Sequence, residues 1–230
     1  MSSSRWTPVT FASDSVTSTT PPWKRLTSDV PVSGIRATVR AGRDEMRRTL
    51  LEWLPADLHG RRLLDAGCGT GALAVEAARR GAQVVAIDVA TSLVDLARER
   101  LPDDLGGGSV EFRVGDMLDP ALGKFDHVVG MDSLIHYRAP DTVGVLAGLA
   151  ARTSGSILFT FAPKTVPLAI MHAVGRLFPR GDRAPSIEPV SEKALRALLA
   201  AEPALASWRP GRTRRIVSGF YTSQALELVA

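Results

Sequence analysis

Asp65 stands two residues ahead of the first glycine in the run Leu63–Gly71, LLDAGCGTG, and Asp88 closes a second apolar run, VVAID, further along the chain. A short apolar segment leading into spaced glycines at the mouth of a helix is how α/β proteins cradle an adenine-bearing ligand. Gly67, Gly69 and Gly71 let the backbone turn sharply and approach that ligand closely, and the helix behind them offers unpaired N–H groups. Charge narrows the ligand class. A carboxylate at Asp65 sits badly beside a pyrophosphate and well beside a cation. Asp88 can accept both hydroxyls of a ribose, a role that nicotinamide and adenosyl ligands share. Asp116, in VGDM, can take an adenine amino proton with Met117 packing nearby, although a loop Asp is also a common turn former. The glycines alone leave two readings open, because GCGTGA also satisfies the dinucleotide pattern G-x-G-x-x-A.

These residues need strands and helices to hold them, and the chain alternates in a βα rhythm. Strands are expected over Arg62–Asp65, Gln83–Asp88, Val110–Val114, His127–Met131 and Ser156–Phe161, with helices over Gly71–Arg80, Ser92–Arg100 and Asp141–Ala151. Strands apolar throughout and separated by helices require a parallel sheet covered on both faces. Ahead of them Ile35, Val39, Met46, Leu50, Trp53 and Leu54 recur at helical spacing, with Pro55 closing the run. Behind them come an apolar-basic segment Val166–Arg180, a helix over Glu192–Ala201, and a hairpin within Trp208–Val229. In that hairpin GRTRR is the expected turn, placing Arg212, Arg214 and Arg215 in solvent. Residues 1–22, with SSS, TSTT and PP, lack an apolar period and are expected to form a disordered tail. The expected organisation is that tail, a helical arm or lid over 23–60, and one catalytic domain over 61–230 with an insertion at 163–190.

The chain has 230 residues, 45% of them apolar, with no apolar run long enough to span a bilayer. A single cysteine, Cys68, excludes an internal disulfide and a cysteine-based metal cage, and is expected to be a small packed residue. The first twenty residues lack a secretion pattern, so a cytoplasmic location is expected. The net charge of +4 gathers in Arg-rich patches at Arg36–Arg48 and Arg209–Arg215. No nucleic-acid reader motif accompanies them, so nucleic acid is not expected as a partner; an anionic substrate or an acidic membrane surface would suit the same patches.

Three acids converging at strand ends favour a cationic ligand, and S-adenosylmethionine carries both a sulfonium and an ammonium. LDAGCGTG, AIDVA, VGDM and VVGMDSLIHY together resemble the class I S-adenosylmethionine-dependent methyltransferases. MDSLIHYRAPD, FTFAPKT and GRLFPRGDRAP, with PWKRLTSD and VRAGRDEM, further resemble the magnesium-protoporphyrin IX methyltransferases of chlorophyll and bacteriochlorophyll synthesis, over nearly everything from Trp23 onward. The resemblance implies a Rossmann-like fold with a seven-stranded, mostly parallel sheet, a C-terminal antiparallel hairpin, an N-terminal helical arm and an apolar-basic insertion after strand five. It implies methylation of one propionate of magnesium protoporphyrin IX, giving the monomethyl ester. No protein-bound metal is implied, the magnesium being carried by the substrate. Magnesium chelatase is the implied preceding partner, and peripheral contact with the photosynthetic membrane is a further implied property. The departure is at the front, where the tail is Ser/Thr-rich and Thr27 stands where relatives carry an aromatic.

A propionate is already ionised at pH 7, so the chemistry asks for orientation and exclusion of water rather than a general base. His136, in DSLIHY, is the candidate for gripping the propionate by hydrogen bonding the oxygen that does not attack, the alternative being a histidine that caps the following turn. Met131, Asp132 and Ser133 are expected at the methionine end of the cofactor, and Cys68 in its loop. Val166–Phe178 places an apolar face where it could cover a porphyrin, lie at a membrane interface or pack as an ordinary core helix. Lys164, Arg180 and Arg183 could meet the second propionate, and His172 could ligate the substrate magnesium. The alternatives are methylation of another small carboxylate or amine, an NAD-dependent oxidoreductase built on GCGTGA, and a non-catalytic porphyrin carrier.

Overall fold

Along the buried strands the side chains alternate between two cores, as period-two geometry requires. Leu63, Val84, Ala86 and Leu158 face one core, while their neighbours Leu64, Val85, Ile87, Ile157 and Phe159 face the other. The computed structural model describes residues 32–164 and 187–230. Its strands are β1 (Arg62–Ala66), β2 (Gln83–Asp88), β3 (Ser109–Val114), β4 (Phe125–Gly130), β5 (Thr153–Phe161), β6 (Arg209–Ser218) and β7 (Tyr221–Val229). They form a seven-stranded sheet in the order β3-β2-β1-β4-β5-β7-β6. The first five pair in parallel, and β7 runs antiparallel between β5 and β6. The expected mostly parallel sheet with a C-terminal antiparallel hairpin is thus the observed one.

Five helices of the described residues cover the sheet: α1 (Val32–Trp53), α2 (Ala72–Ala78), α3 (Thr91–Glu99), α4 (Ala139–Ala150) and α5 (Glu192–Ala201). Met46, Leu50, Leu51 and Leu54 of α1 and its end join Leu73, Ala77, Val94 and Ala97 in the first core. Val143, Leu146 and Leu149 of α4 join Leu195 and Leu199 of α5 in the second. Each fully buried Leu among these contributes about 1.5–3 kcal/mol over leaving it exposed. The helix α4 starts at Ala139, ahead of the expected Asp141, because Pro140 is tolerated in a first turn that needs no N–H partner and Asp141 favours the positive helix end. Ser191 caps α5, its Oγ accepting from the Ala194 amide at 3.3 Å.

The hairpin corrects one expectation. GRTRR lies inside β6, and the chain turns instead at Gly219 and Phe220. An edge strand whose residues are almost all exposed lacks the apolar alternation that marks a strand, so it reads as a turn. Nor are the three arginines merely solvated. Arg212 grips the buried Glu227 carboxylate through Nε at 2.8 Å and Nη2 at 2.5 Å, donates to the Trp53 carbonyl at 2.7 Å, and lies 5.2 Å from the Trp53 ring centroid. Arg214 pairs with Glu45 at 3.3 Å, and Arg215 donates to Gln224 Oε1. Arg212 and Arg214 therefore fasten α1 to the sheet's antiparallel edge, while Arg215 ties β6 to β7.

Candidate active site

The strand order reverses between β2-β1 and β4-β5, the switch point where α/β sheets open a crevice at the carboxyl ends of their strands. The glycine loop follows β1 there, and residues 131–137 follow β4. Gly67 has φ +83° and leaves no room for a Cβ, which would fall 2.3 Å from Ser133 Cβ. Gly71 has φ +76° and meets the Phe112 ring in the same way, so neither position accepts a side chain. The loop is moored to the end of β2: Gly67 N and Cys68 N donate to the Ile87 carbonyl, and Gly69 N donates to Asp88 Oδ2 at 2.9 Å. Asp88 Oδ1 also accepts from the Ala90 amide at 2.9 Å, so this carboxylate shapes the loop as well as facing the rim.

Asp65 is the electrostatic centre of the loop. It is 2% exposed, its Oδ2 has no hydrogen-bond partner, and it lines a cavity of about 490 Å³. Burial, opposed by a hydrogen bond from the Ala74 amide and reinforced by Asp88, pushes its carboxyl up to about 7. A buried carboxylate with a spare oxygen, on a residue that lines a cavity, suits a cationic ligand group. The Cys68 thiol is pushed well above its ordinary range by burial and then by Asp65 and Asp88, which leaves it a packed and unreactive residue. Above this cavity α1 lays down Arg36, Arg40, Arg43 and Arg47, spaced to share one helix face. Arg47 is engaged by Asp44 at 3.0 Å and Glu76 at 2.7 Å.

A second cavity of about 400 Å³ lies against the same helix, lined by Asp132, Ile135, His136, Ala162, Ile187, Phe220, Tyr221 and Ser223 among others. Val39 and Arg43 line both cavities, so they form the wall between them. Asp132 has φ +55°, strained for a residue with a side chain, and its carboxylate turns into the second cavity. Tyr221 Oη donates to it at 3.1 Å, Ser223 Oγ at 3.2 Å and Thr160 Oγ1 at 3.3 Å, while Arg43 Nε pairs with it at 3.4 Å. Burial first, and then the Asp132 charge, hold the Tyr221 phenol protonated well above its ordinary range.

The C-terminal residues 130–230 match the family model described as magnesium-protoporphyrin IX methyltransferase C-terminus, and residues 63–154 match a methyltransferase domain model. The magnesium-protoporphyrin O-methyltransferase of Rhodobacter capsulatus is 50% identical over 206 residues, spanning 89% of this chain and 88% of its own. The chain belongs to the magnesium-protoporphyrin O-methyltransferase family. Another member, the chloroplastic enzyme of Arabidopsis thaliana, is 30% identical over 90% of this chain and 66% of its own. A solved structure of the Synechocystis magnesium protoporphyrin IX methyltransferase with bound S-adenosylhomocysteine superposes with a TM-score of 0.73 at 30% identity, covering 90% of this chain and 92% of that one.

In this member of the magnesium-protoporphyrin O-methyltransferase family, Asp65, Gly67, Cys68 and Met131 line the first cavity together. Asp88 and Asp116 sit outside that lining, on the rim where β2 and β3 end side by side: Asp88 pairs with Val114, and Gly115 N donates to the Asp88 carbonyl. Asp116 is exposed and its carboxylate accepts from the Leu118 amide at 2.8 Å, a turn-forming contact, while the Met117 carbonyl accepts from Arg152. Asp132, expected at the methionine end of the cofactor, lines the second cavity. Ser133 packs on Gly67, with a buried and unpartnered Oγ. His136 lies on a short 3-10 turn, Leu134–His136, exposed and lining the second cavity. Lys164 is exposed beyond β5, its amide donating to the Val190 carbonyl. His172, Arg180, Arg183, the Val166–Phe178 segment, Thr27 and the tail over 1–22 lie outside the described residues. Sequence reasoning missed Arg43, Thr160, Tyr221 and Ser223; only the helical spacing of the α1 arginines offered a signal, for the first of them.

Proposed function

We propose that this chain transfers the methyl group of S-adenosylmethionine to a propionate carboxylate of magnesium protoporphyrin IX, giving the monomethyl ester, with His136 gripping the acceptor. The observation that carries it is the pair of cavities meeting at one wall, one bearing an unpartnered buried carboxylate and the other a histidine, within a chain of this family. When bound, S-adenosylmethionine supplies an electrophilic methyl group on a sulfonium. The residues present fit that donor: Asp65 would engage its ammonium, and Arg36 or Arg40 on the opposite wall its carboxylate.

The acceptor carboxylate is its own nucleophile at pH 7, so no side chain has to take a proton. Its oxygen forms the new bond to carbon as the bond from carbon to sulfur breaks, the electron pair leaving on sulfur. The work left to the protein is positioning and dryness. His136 donates a hydrogen bond to the oxygen that does not attack, while α1 and the wall residue Val39 keep water from between the two cavities. Ile135, Ala162, Ile187 and Phe220 give the second cavity the apolar surface that a flat macrocycle needs. As the acceptor is a metallated porphyrin, the enzyme ahead of this one is a metal-inserting enzyme, which by family resemblance is magnesium chelatase. No helix of the described residues is long and apolar enough to cross a membrane, and contact with a membrane surface is proposed only as peripheral.

Incubation with radiolabelled S-adenosylmethionine and magnesium protoporphyrin IX should yield a labelled monomethyl ester on chromatography. Label appearing only in another carboxylate or amine would overturn the substrate assignment, and reduced-nicotinamide binding without S-adenosylmethionine binding would overturn the donor. His136→Ala should lower kcat by about tenfold or more while S-adenosylmethionine affinity stays near that of the parent. An unchanged kcat removes His136 from the site.

A further inference from the structure

The acceptor is an anion that must be brought to the boundary between the cavities, and among the described residues one arginine lies there. Arg36, Arg40 and Arg47 line only the first cavity, whereas Arg43 lines both. Its guanidinium is anchored rather than consumed. Nε lies 3.4 Å from Asp132 Oδ2, longer than the 2.7–2.9 Å typical of a tight charge-assisted bond, and no other carboxylate of the described residues pairs with it. The Nη fork, whose geometry matches a carboxylate, is left for a ligand. The anchor itself is built at some cost. Asp132 holds a positive φ that a residue with a side chain rarely adopts, its amide is tied to Thr160 Oγ1 at 2.8 Å, and three hydroxyls from β5 and β7 fix its carboxylate. Strain of this kind persists where surroundings over-determine it, and here the surroundings aim a carboxylate at one arginine.

We propose that Arg43 is a substrate-binding and specificity-determining residue, a clamp for the free propionate carboxylate at the wall between donor and acceptor cavities, with Asp132 as its positioning residue. The inference rests on the activity proposed above. Such a clamp selects the free acid over the ester, because an esterified propionate offers the guanidinium no charge and no bidentate acceptor. It thereby favours release of the product once the carboxylate has become an ester.

The test uses the full chain and two probes: magnesium protoporphyrin IX and its dimethyl ester, their binding followed by porphyrin fluorescence, with S-adenosylmethionine affinity measured by calorimetry. The parent should prefer the free acid by tenfold or more. Arg43→Gln should abolish most of that preference by weakening free-acid binding alone, with ester and S-adenosylmethionine affinities within about twofold of the parent. Asp132→Asn should erode the preference in the same direction, and the double variant should lose no more than Arg43→Gln alone, since the two act as one unit. A preference retained in Arg43→Gln overturns the clamp, as does an equal loss of S-adenosylmethionine affinity, which would place Arg43 in the donor site. Additive losses overturn the positioning role of Asp132. A parent that neither binds nor methylates the free acid overturns the proposed function itself, an outcome separate from these.

Discussion

Replacing Asp65 by Asn should make the ligand-free protein more stable above neutrality while making it a poorer enzyme. The carboxyl moves from 3.8 to about 7 on folding, driven by burial. Each unit is about 1.4 kcal/mol, so carrying this charge in the folded state costs about 4 kcal/mol at high pH. The sign follows from proton counts. Between about pH 4 and about pH 7 the folded chain holds a proton that the unfolded chain has lost, so this group's contribution falls as pH rises through that window and is at its worst above it. Asn cannot ionise and keeps an oxygen for the Ala74 amide, but its own NH2 is buried at a cost of about 1–3 kcal/mol. The variant should therefore melt below the parent near pH 3.5, where both folded and unfolded parent hold the proton, and above it at pH 8, by about 1–3 kcal/mol in each direction, or about 2–4 °C per kcal/mol for a chain of this size. Thermal melts followed by circular dichroism across that range read the crossing. Calorimetry at pH 8 should show S-adenosylmethionine affinity down by tenfold or more, and in the parent that affinity should itself decline below about pH 7 as Asp65 protonates. A melting difference of one sign, flat with pH, would refute the reasoning.

Two further outcomes follow from the Arg212–Glu227 pair and from Cys68. Arg212→Ala should cost about 1–2 kcal/mol, less than for a fully enclosed pair because Arg212 is half exposed, and the loss is read by urea unfolding. Arg212 holds the Glu227 carboxyl below its usual range, so the penalty should be present above the ordinary Glu pKa and shrink as pH falls through the folded value. Cys68 should resist alkylation by iodoacetamide in the native protein at pH 8 and react promptly in urea, as its thiol is held protonated; rapid native labelling would contradict that.

The glycine loop, Asp65 and the parallel strands were legible because buried parallel strands announce themselves as apolar runs and loop glycines have few other uses. β6 was not, since nearly all its residues are exposed and only pairing with β7 makes it a strand. The Asp132 anchor was equally hidden: Tyr221 and Ser223 lie 89 and 91 residues further along the chain, and no local pattern links them to it. Arg43 looked like one charge in a basic patch until the helix placed it on a shared wall.

The position of β7 has a consequence for how the enzyme comes into being. It is inserted between β5 and β6 although it follows both in the chain, so the sheet remains open at β5 until the last strand arrives. Tyr221 and Ser223, which tether Asp132, come with it, as does the surface on which Gly42 of α1 rests against the Tyr221 ring. During synthesis the donor loop can form early from nearby segments, whereas the acceptor side must wait for contacts between distant ones. A ribosome-bound chain ending before Tyr221 would thus carry the glycine loop of a methyltransferase without a place for its substrate.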